Sequence, residues 1–213
     1  MANSRCPEEL AALREAELHD AGRALGVDTV ALLGFADSGW EGPARQNAIV
    51  ERHDLLVAAV SAQIVEWHPD VVVTMDPTGS DGHRDHAAVG RATTDAYLTT
   101  VDWEASLYHW CLPRSLMARW TAVESGRDPA SVYLEIEMGR PDDEITTVID
   151  GREVRAQVED AIGHHRTQRS PYDGLPDELR TAFLEADHLV RVRPAYSDAT
   201  MERSIWPVGH TAR

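Results

Sequence analysis

Two histidines with a carboxylate beside them are the residues whose types and spacing most directly allow metal chemistry. His83 and His86 lie three positions apart at the start of a predicted helix, so both rings can point into one site. Asp85 is close enough to orient a ring, and a neighbouring carboxylate determines which nitrogen is free to bind a metal. The alternative is an exposed cluster that caps the helix or is simply solvated, and the motif alone does not decide between them.

Polar side chains also occupy two loops that follow predicted strands. The first loop runs from Asp37 to Trp40, and the second runs from Asp76 to His86. In open α/β sheets a ligand sits beyond the carboxyl ends of the strands, so we expect both loops to face one crevice. Asp37 has an alternative interpretation, because Asp-Ser-Gly is also a common turn sequence.

Helical and strand-like patterns alternate along the chain. The predicted helices are 8–25, 47–67, 83–98 and 152–165, and the predicted strands are 27–35, 70–75, 105–112, 131–138 and 188–192. The run 70–75 is apolar on both faces, which is typical of a strand inside a parallel sheet. This alternation predicts a doubly wound α/β fold. No GxGxxG follows a predicted strand, which argues against a nucleotide-binding domain.

Length and composition indicate one globular domain that spans residues 1–213. Apolar residues make up 43% of the chain, and 20 Lys and Arg face 36 Asp and Glu, giving a net charge of -16. This charge repels nucleic acid and anionic membranes, so we expect neither as a partner. Cys6 and Cys111 form no CxxC pair, and the sequence shows neither a signal peptide nor a long apolar stretch. We therefore expect a reducing, cytoplasmic setting.

A series of segments follows the order found in the PIG-L/LmbE-like zinc-dependent N-deacetylases, which the chain closely resembles. The segments are Arg14 and Glu17, LGV at 25–27, LGF at 33–35, DSG at 37–39, PDVVVT at 69–74, DP at 76–77, GHRDH at 82–86, DEITTVID at 143–150 and HRTQ at 165–168. Within this family the pattern most resembles the actinobacterial deacetylases and amidases of mycothiol metabolism. The ordered set is far more specific than any one motif.

The resemblance implies a Rossmann-like, mostly parallel sheet and one catalytic zinc ion. The implied reaction is hydrolysis of an N-acetyl or other N-acyl group from a small molecule of the amino-sugar type, which is the substrate class of the family. His86 matches a zinc ligand, and His83 matches the residue that polarises the carbonyl or the developing oxyanion. Arg14 and Asp37 match residues that contact the sugar, although Arg14 also fits a solvated helix face.

The main departure from the family pattern is the absence of its early A-H-P-D-D-E motif. In the family this motif supplies two metal ligands and the general base, and its usual place would lie upstream of Met1. We therefore expect a domain that lacks its first strand and helix, an incomplete zinc site and a chain that is inactive as given. The alternative is a degenerate relative that binds a small ligand or a partner without catalysis.

Smaller departures concern the substrate side of the site. Trp40 stands where similar relatives have methionine, Asp81 where they have tyrosine, and Arg84 where they have the proline of H-P-D-H. We assign Trp40 to substrate binding, and we expect the loss of the tyrosine to remove a contact. Arg84 is expected to loosen the start of the helix. Asp85 is counted with His83 among the catalytic residues.

Overall fold

A computed structural model describes residues 6–39, 42–44, 47–196 and 200–206, which group into two compact units. The first unit holds the described residues of Met1–Leu32 together with Gly151–Glu185. The second holds the described residues of Leu33–Asp150 and Ala186–Arg213. Among the described residues, no helix combines the length and apolar character that a membrane-spanning segment requires.

The first unit is helical. It contains α1 (Pro7–Leu25), a 3-10 turn, α5 (Arg155–His164) and α6 (Asp177–Leu184). The helix predicted over 8–25 is confirmed, and Gly26 ends it in the left-handed conformation that the sequence indicated. Glu17 is buried on α1, where its carboxylate accepts hydrogen bonds from the backbone N–H of Thr167 at 3.1 Å and from its hydroxyl at 2.6 Å. These bonds join two of the family-like segments within this unit.

The second unit is built on a four-stranded sheet in the order β1-β2-β4-β3. The elements of this unit are α2 (His53–Trp67), β1 (Val71–Met75), α3 (Arg84–Thr100), β2 (Ser106–Cys111), α4 (Arg114–Arg127), β3 (Thr147–Asp150) and β4 (Ala186–Arg193). Strands β1 and β2 are parallel, whereas β4 runs antiparallel to both of its neighbours. The α/β class is confirmed, but the sheet is mixed rather than mostly parallel. Polar and apolar residues alternate over 190–193 at the end of β4, a pattern typical of antiparallel strands.

Helices α2 and α3 pack together and cover the sheet through an apolar cluster. Ile64 of α2, Ala96 and Tyr97 of α3, and Leu107 of β2 form its buried centre. The Tyr97 hydroxyl donates to the carbonyl of Ala105 at 2.8 Å, so its polar end is satisfied at the start of β2. This packing fixes the direction of α3, whose first turn carries the two candidate histidines.

Two predicted strands are wrong. Segment 27–35 forms neither a helix nor a strand and belongs to no sheet among the described residues; the nearest pairing is an isolated bridge between Ala36 and Ala48. An apolar β-rich run becomes a sheet strand only where another strand can pair with its backbone. Segment 131–138 contains a 3-10 helix over Val132–Glu135, where Tyr133 packs edge-on against Trp120 of α4 at 5.2 Å. Packing on a helix therefore takes the place of strand pairing there.

Candidate active site

The loop between β1 and α3 is held by buried hydrogen bonds at its start. Asp76 is 2% exposed, accepts from the backbone N–H of Thr78 at 3.0 Å and forms an ion pair with Arg140 at 3.2 Å. Gly90 allows α3 to cross this end of the strand closely, because a Cβ atom there would lie 2.3 Å from the carbonyl oxygen of Met75. Asp76 and Gly90 are thus structural supports that place the first turn of α3 beyond the carboxyl end of β1.

His83 caps the N-terminus of α3. Its Nδ1 accepts a hydrogen bond from the backbone N–H of Asp85 at 3.1 Å. Burial is the main cause that lowers the pKa of His83, followed by the charge of His86, so the ring favours its neutral form. A neutral ring whose Nδ1 accepts carries its proton on Nε2. A neutral His83 ring therefore has its hydrogen-bond donor at Nε2.

Asp81 contacts both histidines. One carboxylate oxygen accepts from the backbone N–H of His83 at 3.1 Å, and the other contacts Nδ1 of His86. The hydrogen bond with Asp81 is the main cause that raises the pKa of His86. The two imidazole rings stack with centroids 4.7 Å apart and planes inclined by 30°. Since Nδ1 of His86 is occupied, Nε2 is the nitrogen that remains for a ligand.

The carboxylate of Asp85 ties the first loop to the helix. It is 8% exposed, and its Oδ2 accepts from the backbone N–H of Ser38 at 3.0 Å. Its Oδ1 is buried and has no hydrogen-bond partner among the described residues, so it remains an acceptor for a donor or a cation. The ring of His83 is oriented by the backbone N–H of Asp85, whereas we expected its carboxylate to do this.

Arg84 gives the two loops a second connection. Its guanidinium donates to the carbonyl oxygens of Gly39 at 2.6 Å, Gly42 at 3.0 Å and Ser38. Helix α3 begins at Arg84 and is capped by His83, and the expectation that Arg84 loosens this helix start stays a prediction. A planar fork of donors can bond several carbonyls at once, which proline cannot do.

Asp37, His83 and Asp85 form a compact group in which one ligand atom of each residue lies within 4.8 Å of the others. The Asp37 carboxylate also accepts from the backbone N–H of Gly39 at 2.8 Å, so the turn interpretation of this residue holds together with its place in the site. The group lies at the positive end of a helix, and Nδ1 of His83 already accepts a backbone bond. Both features favour a donor and acceptor site over a cation site.

His86 is the residue here that best fits one ligand of a zinc ion. A carboxylate on one ring nitrogen orients the other nitrogen toward a metal, which is a common arrangement around metal-binding histidines. Catalytic zinc has three protein ligands, and among the described residues no group of three potential ligands includes His86. The described part of the chain therefore fits zinc at one position and does not supply a full ligand set.

Comparison with known proteins identifies the family of the chain. The family described as PIG-L: GlcNAc-PI de-N-acetylase matches residues 1–97. A Rhodococcus opacus protein named 1D-myo-inositol 2-acetamido-2-deoxy-alpha-D-glucopyranoside deacetylase is 31% identical over an alignment that covers 95% of this chain and 80% of that protein. The chain belongs to the PIG-L family. The resemblance drawn from the ordered motifs is confirmed.

Other PIG-L relatives show the same level of similarity. A Thermomonospora curvata protein with the same name is 35% identical, over 85% of this chain and 70% of that protein. A Saccharopolyspora erythraea protein, named as deacetylase 2 of the same substrate, is 34% identical, over 88% of this chain and 73% of that protein. The similarity therefore extends well beyond the histidine motif.

Other predicted positions of the PIG-L site have different outcomes. Arg14 is exposed on α1 in the first unit, and its substrate role stays a prediction. Trp40 lies outside the described residues.

Sequence reasoning missed Tyr133, whose ring lies 3.7 Å from the position of a Cβ on Gly82. Burial raises the pKa of Tyr133 to about 12, and the charge of Asp81 adds to this effect. No spacing rule connects a loop to a residue about fifty positions away.

Proposed function

We propose that this protein is a zinc-dependent N-deacetylase that removes an acetyl group from a small amine linked to a sugar. The observation that carries the proposal is the histidine pair at the start of α3, where a neutral His83 carries its proton on Nε2 and Asp81 occupies Nδ1 of His86, which leaves Nε2 of His86 for a metal. Membership of the PIG-L family supports the reaction type, and the names of the relatives support an N-acetylglucosaminyl-inositol as the substrate class.

In the proposed mechanism His86 would hold the metal through Nε2, and His83 would donate from Nε2 to the acyl oxygen of the substrate. Zinc, when bound, acts as a Lewis acid that activates water near neutral pH. A fixed donor at the acyl oxygen stabilises the charge that develops there as the amide is attacked. Asp37 accepts from a sugar hydroxyl, and Asp85 holds the Asp37 loop through Ser38.

A second candidate function is binding of the same ligand class without hydrolysis. It is favoured by the ligand count, because His86 has no set of partner ligands among the described residues. A binding protein would retain the donors and acceptors of Asp37 and His83 and release no acetate. The two candidates therefore differ in one measurable product.

The test measures release of free amine from N-acetylglucosaminyl-inositol, with zinc and with a chelator. It is run on the 213-residue chain and, where its gene encodes one, on the longer polypeptide that contains it. We expect amine release that requires zinc and that His83→Ala slows by about 10²- to 10³-fold. His53→Ala, on the exposed start of α2, is the control. Absence of amine in every preparation would contradict the proposed deacetylase activity. Binding of the substrate, measured by calorimetry, would then support the second candidate function.

A further inference from the structure

We propose that Asp81 is a positioning residue that fixes His86 in the tautomer with its proton on Nδ1, while the helix start fixes His83 in the opposite tautomer. The inference deepens the proposed function, since it states how two similar rings acquire different roles. It rests on the contacts of one carboxylate and one helix cap. The tautomers themselves are properties of the metal-free protein and do not depend on catalysis.

The carboxylate determines where the proton of His86 resides. An ionised carboxylate can only accept hydrogen bonds, so the nitrogen it contacts must carry a proton. The side chain of Asp81 is 16% exposed, which limits competition from water. A neutral His86 ring therefore has its lone pair on Nε2. Hydrogen bonding to the other ring nitrogen also makes that lone pair more basic.

The backbone fixes the position of Asp81. Its second oxygen accepts from the N–H of His83, so the carboxylate is held from two sides. Gly82 adopts a φ of 82°, and its N–H donates to the carbonyl of Gly79 at 2.8 Å. A Cβ on Gly82 would lie 3.1 Å from Sδ of Met138, so the turn is packed as well as bonded.

The helix start imposes the opposite proton position on His83. Its Nδ1 accepts the N–H of Asp85 at 3.1 Å, which leaves the proton of a neutral ring on Nε2. The stacked rings thus present one donor and one acceptor side by side. Asp81 stands where the family pattern has tyrosine, so the carboxylate contact is a feature of this chain. The departure provides an orienting group for His86.

Ring ¹⁵N shifts in the metal-free protein, measured at a pH where both rings are neutral, test the tautomers directly. We expect unprotonated Nε2 in His86 and unprotonated Nδ1 in His83. Asp81→Asn should reverse His86. Its amide oxygen remains with the N–H of His83, and its NH₂ group then donates to Nδ1 of His86. Asp128→Ala, which removes a carboxylate that bonds only a local turn, is the control and should change neither ring.

Zinc affinity gives a second readout, by competition with a chromophoric chelator. Loss of an orienting partner typically weakens metal binding by about 10- to 100-fold. Asp81→Ala should therefore lower the zinc affinity by a factor in this range, and Asp81→Asn should bind zinc no more tightly than Asp81→Ala. Asp128→Ala should bind as the parent does. The proposal is wrong if His86 carries its proton on Nε2 in the parent protein, or if Asp81→Asn leaves its tautomer unchanged. Correct tautomers without amine release would instead refute only the proposed function.

Discussion

Helix α3 has a histidine at each of two places: His86 in its own first turn, and His109 of β2 against its middle. The two histidines differ in their hydrogen-bond partner and in their burial. At the first turn, the side chain of His86 is 46% exposed and contacts a carboxylate that raises its pKa. At the middle, His109 of β2 is 7% exposed and bonds the Thr94 hydroxyl at 2.9 Å. Burial lowers the pKa of His109 to about 4.

The difference shows what keeps a histidine available for chemistry. The Thr94 hydroxyl donates its proton to the carbonyl of Gly90 at 2.7 Å, so it can only accept from Nε2 of His109. The hydrogen bond with Thr94 therefore occupies Nε2 of His109. At the first turn, the carboxylate of Asp81 occupies only Nδ1 of His86 and leaves Nε2 open. An open nitrogen and a charged partner therefore distinguish His86 from His109, although the residue type is the same.

The largest expected effect separates the roles of the two histidines at the first turn. In a preparation that binds zinc, His86→Ala should abolish this binding, whereas His83→Ala should keep zinc and lower kcat by about 10²- to 10³-fold, the usual effect of losing one oxyanion donor. Zinc is measured by equilibrium dialysis and kcat by amine release. His109→Gln, a change in the buried region, should leave zinc affinity unchanged. Equal loss of zinc in His83→Ala and His86→Ala would place both rings, and with them Asp37 and Asp85, around the metal.

The second prediction concerns the stability that the folded protein loses at acid pH because His109 is buried. Its pKa of about 4 lies below the ordinary value of 6.5, so between these values the unfolded chain binds a proton that the folded chain does not. The free energy of unfolding should therefore fall as the pH decreases through this window, by up to about 3 kcal/mol at about 1.4 kcal/mol per unit. Urea unfolding at pH 7.5 and 4.5 measures it. His109→Gln should reduce the difference between the two pH values, and an unchanged difference would mean that other groups control acid unfolding.

The sequence predicted the helix and the strand that carry the site better than it predicted the contacts within the site. Strand β1 and helix α3 follow from a short apolar run and from helical spacing, which are local signals. Segment 27–35 has the same kind of apolar run, yet strand formation depends on a pairing partner that no local pattern encodes. Segment 131–138 failed for a similar reason, since Tyr133 packs on α4.

Site contacts were predictable where one residue type has one common use. The pairing of His83 and His86 at a helix start was readable from their spacing. The role of Asp81 was not, because it depends on a turn with a positive φ at Gly82. The three carbonyl partners of Arg84 belong to a loop more than forty positions earlier, and their approach is a property of the folded chain.

The third prediction tests the packing that connects the two regions of α3. Gly90→Ala should destabilise the fold by about 1–3 kcal/mol, because its Cβ would lie 2.3 Å from the Met75 carbonyl oxygen and force α3 outward. Gly126→Ala in α4 is the matched control, since a Cβ there meets no atom within 4 Å. That control should gain about 0.4–1 kcal/mol from the reduced entropy of the unfolded chain. The free energies of unfolding of both variants are measured in urea. Equal values for Gly90→Ala and Gly126→Ala would contradict the close packing of α3 on the end of β1.

The smallest expected effect concerns the loop that Arg84 holds. Arg84→Ala removes three donors from the carbonyls of Ser38, Gly39 and Gly42, and should cost about 1 kcal/mol of stability because these bonds are partly exposed. Arg84→Lys should recover little, since one ammonium group lacks the planar fork.

Hydrogen exchange shows whether this small effect is local. The amide of Ser38, which bonds Asp85, should exchange faster in Arg84→Ala, while KM for the sugar substrate rises and kcat is kept. Arg91→Ala on the same helix removes a single bond, to the carbonyl of Pro77, and should leave the Ser38 amide protected. If Ser38 exchanges at the parent rate in Arg84→Ala, the carboxylate of Asp85 alone holds the loop, and the buried acceptor at the first turn is the stronger of the two connections.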